Sequence, residues 1–306
     1  MTCDLTAPKF TNEPAAVAFM EADRWPKGVT CPLCGADTVH KMGGKTQAGM
    51  FACYACEGKF TVRTGTVFER SHIPLHKWLL ALHLMGASKK GISAHQLHRM
   101  LGITYKSAWF MAHRIREAMG PSSGDRSPLG GPGKIVEADE TEISPSRKTR
   151  VKGGRARAKN KRFVALVERG GKVRSTIISD RGLNEVVKAV RDNVGEASFL
   201  HTDGAPVYRF VMPWGQHEAV DHDKQYVRKG KTGIVHCNTA EGYFSLFKRG
   251  LVGPYQHISP AHLPRYLNEF DFRMNNRAKL GVPDAVHAAK ILKGAEGERL
   301  TYRQVG

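Results

Sequence analysis

The chain has 306 residues, 41% of them hydrophobic, which is enough for one large domain with one or two small ones and a buried core. Its 47 Lys and Arg against 28 Asp and Glu leave a formal charge of +19, and an excess of that size favours a polyanionic partner such as nucleic acid. Residues 1–22 lack a charged start followed by an apolar run, and no stretch has the roughly 18–20 apolar residues of a membrane span. Membrane and secreted classes are therefore not expected. A reducing cytoplasm fits the six cysteines, four of which stand in two close pairs.

Those pairs are Cys31 with Cys34 and Cys53 with Cys56, with 18 residues between them. Each two-residue gap suits a tight turn that presents two thiolates, and the intervening hairpin brings the turns together around one structural Zn2+. Gly35 and Gly58 follow the pairs where such turns need them. A zinc ribbon is expected over 15–66.

Residues 72–119 read as helical. Trp78, Leu79, Leu82 and Met85 recur at three- and four-residue steps, as one buried helix face requires. Further on, Ser93 can cap a helix, Gly102 can stop it and Thr104 can cap the next. Two short helices around a glycine turn suggest a helix-turn-helix, and Lys106, Arg114 and Arg116 on the second suggest that it docks on DNA. Five glycines and three prolines in residues 120–133 predict a linker.

From 134 to 280 the rhythm is that of an α/β layer fold with a mixed sheet. Strands are expected at Ile135–Ile143, Phe163–Val167, Val173–Ile178 and Ser198–Thr202, with a shorter one near Glu218–Asp221. Helices are expected at Leu183–Val194, Asn238–Lys248 and Ala261–Asn275. Residues 281–306 read as a C-terminal tail.

Strand alternation puts Glu137, Asp139 and Thr141 on one face and Val136, Ala138 and Glu140 on the other. Asp203 follows an apolar strand and precedes Gly204, which places it at the sheet's carboxyl edge, where open α/β sheets gather ligands. On the helix beginning at Asn238, residues Asn238, Glu241, Ser245 and Lys248 share a stripe, while Tyr243, Leu246 and Phe247 face elsewhere to pack on the sheet. One helix face thus offers an amide, a carboxylate and a cation.

The order of the cysteine pairs, the helical segment, Ala138-Asp139-Glu140-Thr141, His201-Thr202-Asp203-Gly204, Val220-Asp221-His222 and the run from His236 to Gly250 resembles the bacterial insertion-sequence transposases related to the Merlin elements. The resemblance implies a ribonuclease-H-like catalytic domain preceded by a zinc ribbon. It implies a DDE/N site of Asp139, Asp203 and either Glu241 or Asn238, with Glu241 favoured because a hard cation prefers an anionic oxygen. Lys248 stands seven residues after Glu241, as in the Asp-Asp-Glu-Lys pattern of related transposases. The expected cofactors are two Mg2+ (or Mn2+) ions about 3.5–4 Å apart, bridged by Asp139 and flanked by Asp203 and Glu241. Double-stranded DNA, as terminal inverted repeats and as target, is the expected partner. A homodimer or larger assembly is expected to hold paired ends.

Phosphate contacts are assigned to Lys248, Arg249 and Lys106, and to a run with no acid from Ser144 to Val167: Arg147, Lys148, Arg150, Lys152, Arg155, Arg157, Lys159, Lys161 and Arg162. A second polar cluster, His217, Asp221, His222 and Asp223, is expected to be structural or supporting. Two other functions fit part of this pattern: a zinc-ribbon and helix-turn-helix regulator without catalysis, and a nuclease that cuts without joining.

Overall fold

The computed structural model describes residues 4–44, 48–121, 127–143, 150–151, 154–155, 161–178, 183–211, 216–221 and 223–297. In chain order the elements begin with α1 (Pro8–Thr11), α2 (Glu13–Arg24), β1 (Val39–Lys41), β2 (Met50–Cys53), β3 (Lys59–Thr61), α3 (Leu75–Ala87), α4 (Ala94–Leu101) and α5 (Tyr105–Ala118). Next come β4 (Ile135–Ile143), β5 (Arg150–Val151), β6 (Gly154–Arg155), β7 (Lys161–Glu168), β8 (Val173–Ile178), α6 (Leu183–Asn193), β9 (Phe199–Thr202) and β10 (His217–Ala219). The chain finishes with β11 (Arg228–Gly230), β12 (Gly233–Val235), α7 (Asn238–Gly250), α8 (Leu263–Asn275) and α9 (Asp284–Gly294). These fall into two compact units, residues 1–120 with 282–306, and residues 121–281.

In the first unit β1, β2 and β3 form an antiparallel sheet, preceded by α1 and α2 and followed by α3, α4 and α5. Ser93 accepts the Gln96 N–H at the start of α4, Gly102 ends that helix at φ 58°, and Thr104 accepts the Ser107 N–H at the start of α5. The helix pair expected from these caps is present. Two of the three basic residues expected to dock on DNA, Arg114 and Arg116, are used differently from the expectation. Arg114 is buried, and its Nη1 donates to the Val67 and Glu69 carbonyls at 2.8 and 2.9 Å; Arg116 is buried as well. Arg24 and Arg63 tie neighbouring segments in the same way, each donating from one nitrogen to two backbone carbonyls. Part of the cationic excess is therefore internal stitching, in which long side chains satisfy carbonyls that no strand or helix reaches.

Residues 281–306 include more than a tail, because α9 packs on α3 and α5. Two glycines permit the approach. A Cβ on Gly294 would lie 2.2 Å from the Ala118 carbonyl oxygen, and one on Gly86 would press on His287 at 3.1 Å. Residues 298–306 lie outside the described residues.

The second unit is built on a five-stranded sheet in the order β10-β9-β4-β7-β8. β4, β7 and β8 are antiparallel neighbours, while β9 runs parallel to β4 and β10 parallel to β9. Val136, Ala138, Val164 and Leu166 join Val186 and Val190 of α6 in one core. Phe163, Ala165 and Val167, from the opposite face of β7, join Tyr243 and Phe247 of α7 and Phe270 of α8 in another. A mixed sheet covered on both faces, with this strand order, is a ribonuclease-H-like α/β domain.

Two local features complete that domain. Residues 127–133, expected as linker, belong to it: Leu129 is buried, its N–H donates to Asn193 O, and its carbonyl accepts from Gly195. Gly130 sits at φ 85°, where a Cβ would lie 2.2 Å from Ser198 Oγ. On the opposite edge, Asn275 accepts from the Val173 N–H and donates to its carbonyl, and Asp271 accepts from Ser175. These α8 side chains occupy the outer hydrogen-bonding groups of β8, as an edge strand requires. Asn275 thus serves β8, and the Asn276 side chain donates to Phe272 O.

Candidate functional site

The four cysteines converge in the first unit. Cys31 Sγ and Cys56 Sγ are 3.8 Å apart, Cys34 Sγ and Cys53 Sγ are 3.6 Å apart, and all four sulfurs lie within 4.8 Å of one another. Zn–S bonds of about 2.3 Å in a tetrahedron set sulfurs about 3.8 Å apart, so the residues fit a four-thiolate zinc site with no open position. The Cys56 backbone N–H leads the donors that bring the Cys53 thiol down to about 7. Gly35 takes φ 80°, as a tight turn requires. In the second turn the left-handed residue is Glu57, at φ 57°. Gly58 is needed for space instead, since a Cβ there would sit 3.1 Å from Cys56 Sγ.

The carboxylates meet in the second unit. β4 and β9 pair in parallel with Glu137 opposite His201, and extending that register by two residues sets Asp139 beside Asp203. Gly204, at φ 87°, turns the chain after Asp203, whose Oδ1 accepts the Ala205 N–H. Asp139 and Glu241 line one cavity of about 630 Å³ with Glu140, Ser245, Lys248 and Arg249. Burial, followed by the negative charges of Asp203, Glu140 and Glu241, pushes the Asp139 carboxyl up to about 7.

Glu140 points the other way from Asp139 and accepts the Tyr208 hydroxyl. Asn238 is exposed at the first position of α7 and does not line the cavity, whereas Glu241, Ser245 and Lys248 of the expected stripe do. Among the described residues, only the cysteines form a group of three or more metal-binding side chains drawn within 4.8 Å; Asp139, Asp203 and Glu241 are not all that close. Hard oxygen donors whose charges repel one another fit a divalent cation such as Mg2+.

Beneath this cavity lies a set of contacts that sequence reasoning missed. Glu137 is fully buried, and both of its oxygens are used. Oε2 accepts from the Thr239 and Ala240 amides at 2.7 and 3.1 Å, and Oε1 accepts from the Thr239 hydroxyl and from Arg169 Nε, each at 2.9 Å. The carboxylate two residues before Asp139 therefore caps the helix that carries Glu241. Arg169 also donates to the carbonyls of Ile234 and His236. His201 abuts Arg169 and Thr232; burial first, then the Arg169 charge, lowers its pKa to about 4. The one sequence signal was strand alternation, which put Glu137 and Asp139 on a common face.

Other expected contacts are dispersed. Lys106 is exposed on the first turn of α5. Arg162 pairs with Glu142 at 3.3 Å, and Arg249 Nε donates to Ser245 O. Arg150, Arg155 and Lys161 are described in backbone only, while Arg147, Lys148, Lys152, Arg157 and Lys159 lie outside the described residues. His217 bonds to Thr202, and Asp221 pairs with Lys224. Asp223 is exposed, and His222 lies outside the described residues. None of the described helices is long and apolar enough to cross a membrane.

Residues 11–59 match the transposase zinc-ribbon domain, and residues 128–275 match the ISXO2-like transposase domain. A Halobacterium salinarum protein, described as an uncharacterized protein in transposable element ISH50, is 30% identical over 289 residues, covering 86% of this chain and 91% of that protein. A chain in the cryo-EM structure of the simian T-cell lymphotropic virus intasome in complex with PP2A regulatory subunit B56 gamma is 14% identical, over 57% of this chain and 63% of that one. Its TM-score of 0.27 is too low to bear on the fold. With a zinc ribbon, a ribonuclease-H-like domain and a relative matched along nearly its whole length, the chain belongs to the ISXO2-like transposases of the IS1595 family.

Proposed function

We propose that this transposase binds the ends of an insertion sequence, cuts the DNA there, and joins the freed 3′-hydroxyl to target DNA at a DDE-type site. The observation that carries the reading is the state of Asp139, a buried carboxyl raised to about 7 by burial and three neighbouring acids, in a cavity that also holds Lys248 and Arg249. Such a cluster combines acids that repel one another with cations placed for phosphate. Asp139, Asp203 and Glu241 would hold two Mg2+ or Mn2+ ions. When bound, these cations lower the pKa of the attacking hydroxyl or water and neutralise the leaving oxygen. The chain's own part is to fix the three carboxylates on β4, after β9 and on α7, and to hold the DNA phosphate with Lys248 and Arg249. The exposure of Asn238 and its absence from the cavity wall favour Glu241 as the third ligand. The zinc ribbon and the α4–α5 pair, with Lys106 exposed, are assigned to end recognition. A dimer or larger assembly brings two ends together.

The test is incubation of purified protein with candidate element ends in Mg2+ or Mn2+, followed by sequencing of the products. Cut and joined products are expected. Nicks alone would mark a nuclease, and binding without products a regulator; either result overturns the proposal.

A further inference from the structure

We propose that the β11–β12 ribbon is a DNA-contacting surface that lies against duplex DNA beside the carboxylate cavity; this rests on the functional reading above. From Lys224 to Ala240 the sequence has no acid, and Lys224, Arg228, Lys229 and Lys231 fall within its first eight residues. The ribbon divides these cations between two faces. In its register Arg228 opposes Val235 and Lys229 opposes Ile234. Val235 is fully buried and Arg228 donates to Ala219 O, so that face packs on the domain. Lys229 and Ile234 form the other face, and both are exposed, with Ile234 at 57%. Lys231 is exposed at the turn, and Tyr226, just before β11, is 66% exposed.

An isolated two-stranded ribbon is marginal in water, yet this one is held at both ends. At the turn, the nearly buried Glu218 accepts the Lys231 and Thr232 amides at 3.0 and 2.9 Å, takes the Thr232 hydroxyl, and lies 3.5 Å from Arg228. At its exit, Arg169 joins the Ile234 carbonyl to Glu137, two residues from Asp139. Four residues after Ile234, the chain enters α7, which carries Glu241. Buried carboxylates thus hold the ribbon in fixed relation to the site and neutralise Arg228, while Lys229 and Lys231 form no ion pair among the described residues. A rigid ribbon with a cationic and apolar outer face matches the phosphates and groove of a double helix, whose major groove admits a two-stranded β-ribbon.

The experiment is a salt titration of binding to a short random-sequence DNA duplex, followed by fluorescence anisotropy. The unsubstituted chain is compared with K229A/K231A and with K188A/R191A, which removes the same charge from α6 on the opposite face of the sheet. The proposal expects K229A/K231A to weaken binding and to reduce the slope of log K against log salt by roughly 2, about 1 per lost phosphate contact. K188A/R191A is expected to leave that slope within error, and K229A/K231A to keep the melting temperature of the unsubstituted chain. An unchanged slope in K229A/K231A, or an equal loss in K188A/R191A, overturns the proposal. A chain that cuts and joins DNA yet ignores K229A/K231A loses the ribbon assignment alone. A chain that binds no duplex loses the functional reading and the ribbon with it.

Discussion

In the zinc ribbon, four sulfurs already stand at tetrahedral spacing, with 3.8 and 3.6 Å between paired thiols and knuckle amides directed at Cys53. In the ribonuclease-H-like domain, by contrast, Asp139, Asp203 and Glu241 remain further apart, beside a cavity of about 630 Å³, and Asp139 holds its proton to about pH 7. The four sulfurs leave no open position, whereas the acids of the second site repel one another beside room for a substrate. A filled coordination shell serves folding, whereas chemistry requires open positions and charge that only the reacting complex satisfies.

The comparison breaks most visibly if the two sites fail to separate under mutation. Replacing Cys53 with Ser should abolish stoichiometric zinc, measured by atomic absorption, and destabilise the ribbon by on the order of 5 kcal/mol. The same variant should still bind Mn2+ through the second domain. At that second site, Glu241→Gln is expected to lower cleavage of element ends by roughly 10³-fold, and Asn238→Ala to leave it within about threefold. The reverse order would move the third ligand to Asn238.

Glu137 sharpens the contrast, because it is what holds the open site in shape. Glu137→Gln leaves Arg169 without its buried anion and should cost about 3 kcal/mol in denaturant unfolding. Hydrogen exchange at the Thr239 and Ala240 amides should accelerate as well. Protection as strong as in the unsubstituted chain would show that α7 is held by packing alone.

The smallest effect concerns pH. Asp139 is raised from 3.8 to about 7 in the folded chain, so its protonated form contributes stability in full below pH 4, and that contribution is lost as pH rises through about 7. In chelator at pH 8, Asp139→Asn should therefore melt higher than the unsubstituted chain by about 3–5 °C. Added Mn2+ should close the gap by stabilising only the unsubstituted chain. A lower melting temperature for the variant in chelator would mean that Asp139 is not under charge strain.

What the sequence revealed was the local pattern. The cysteine spacing, the caps at Ser93, Gly102 and Thr104, and the two faces of β4, with Val136 and Ala138 towards α6 and Glu137 towards α7, each lie within a short window, and each appears in the structure. What it concealed depends on partners far along the chain. Arg114 looked like a DNA contact because its carbonyl partners at Val67 and Glu69 lie 47 and 45 residues away. Glu137 looked like one more acid beside Asp139, because the amides it caps are 102 and 103 residues later. Residues 281–306 looked like a tail, since nothing local announces that Gly294 meets Ala118. Periodicity reports which face is buried, not which element buries it.

Asp139 is the residue on which the proposed chemistry depends most directly. Asp139→Asn should keep its zinc, its fold and its affinity for element ends while Mg2+-dependent cleavage and joining fall by at least roughly 10³-fold. Cleavage by that variant at the unsubstituted rate, with zinc content unchanged, would contradict the assignment of the chemistry to the carboxylate site.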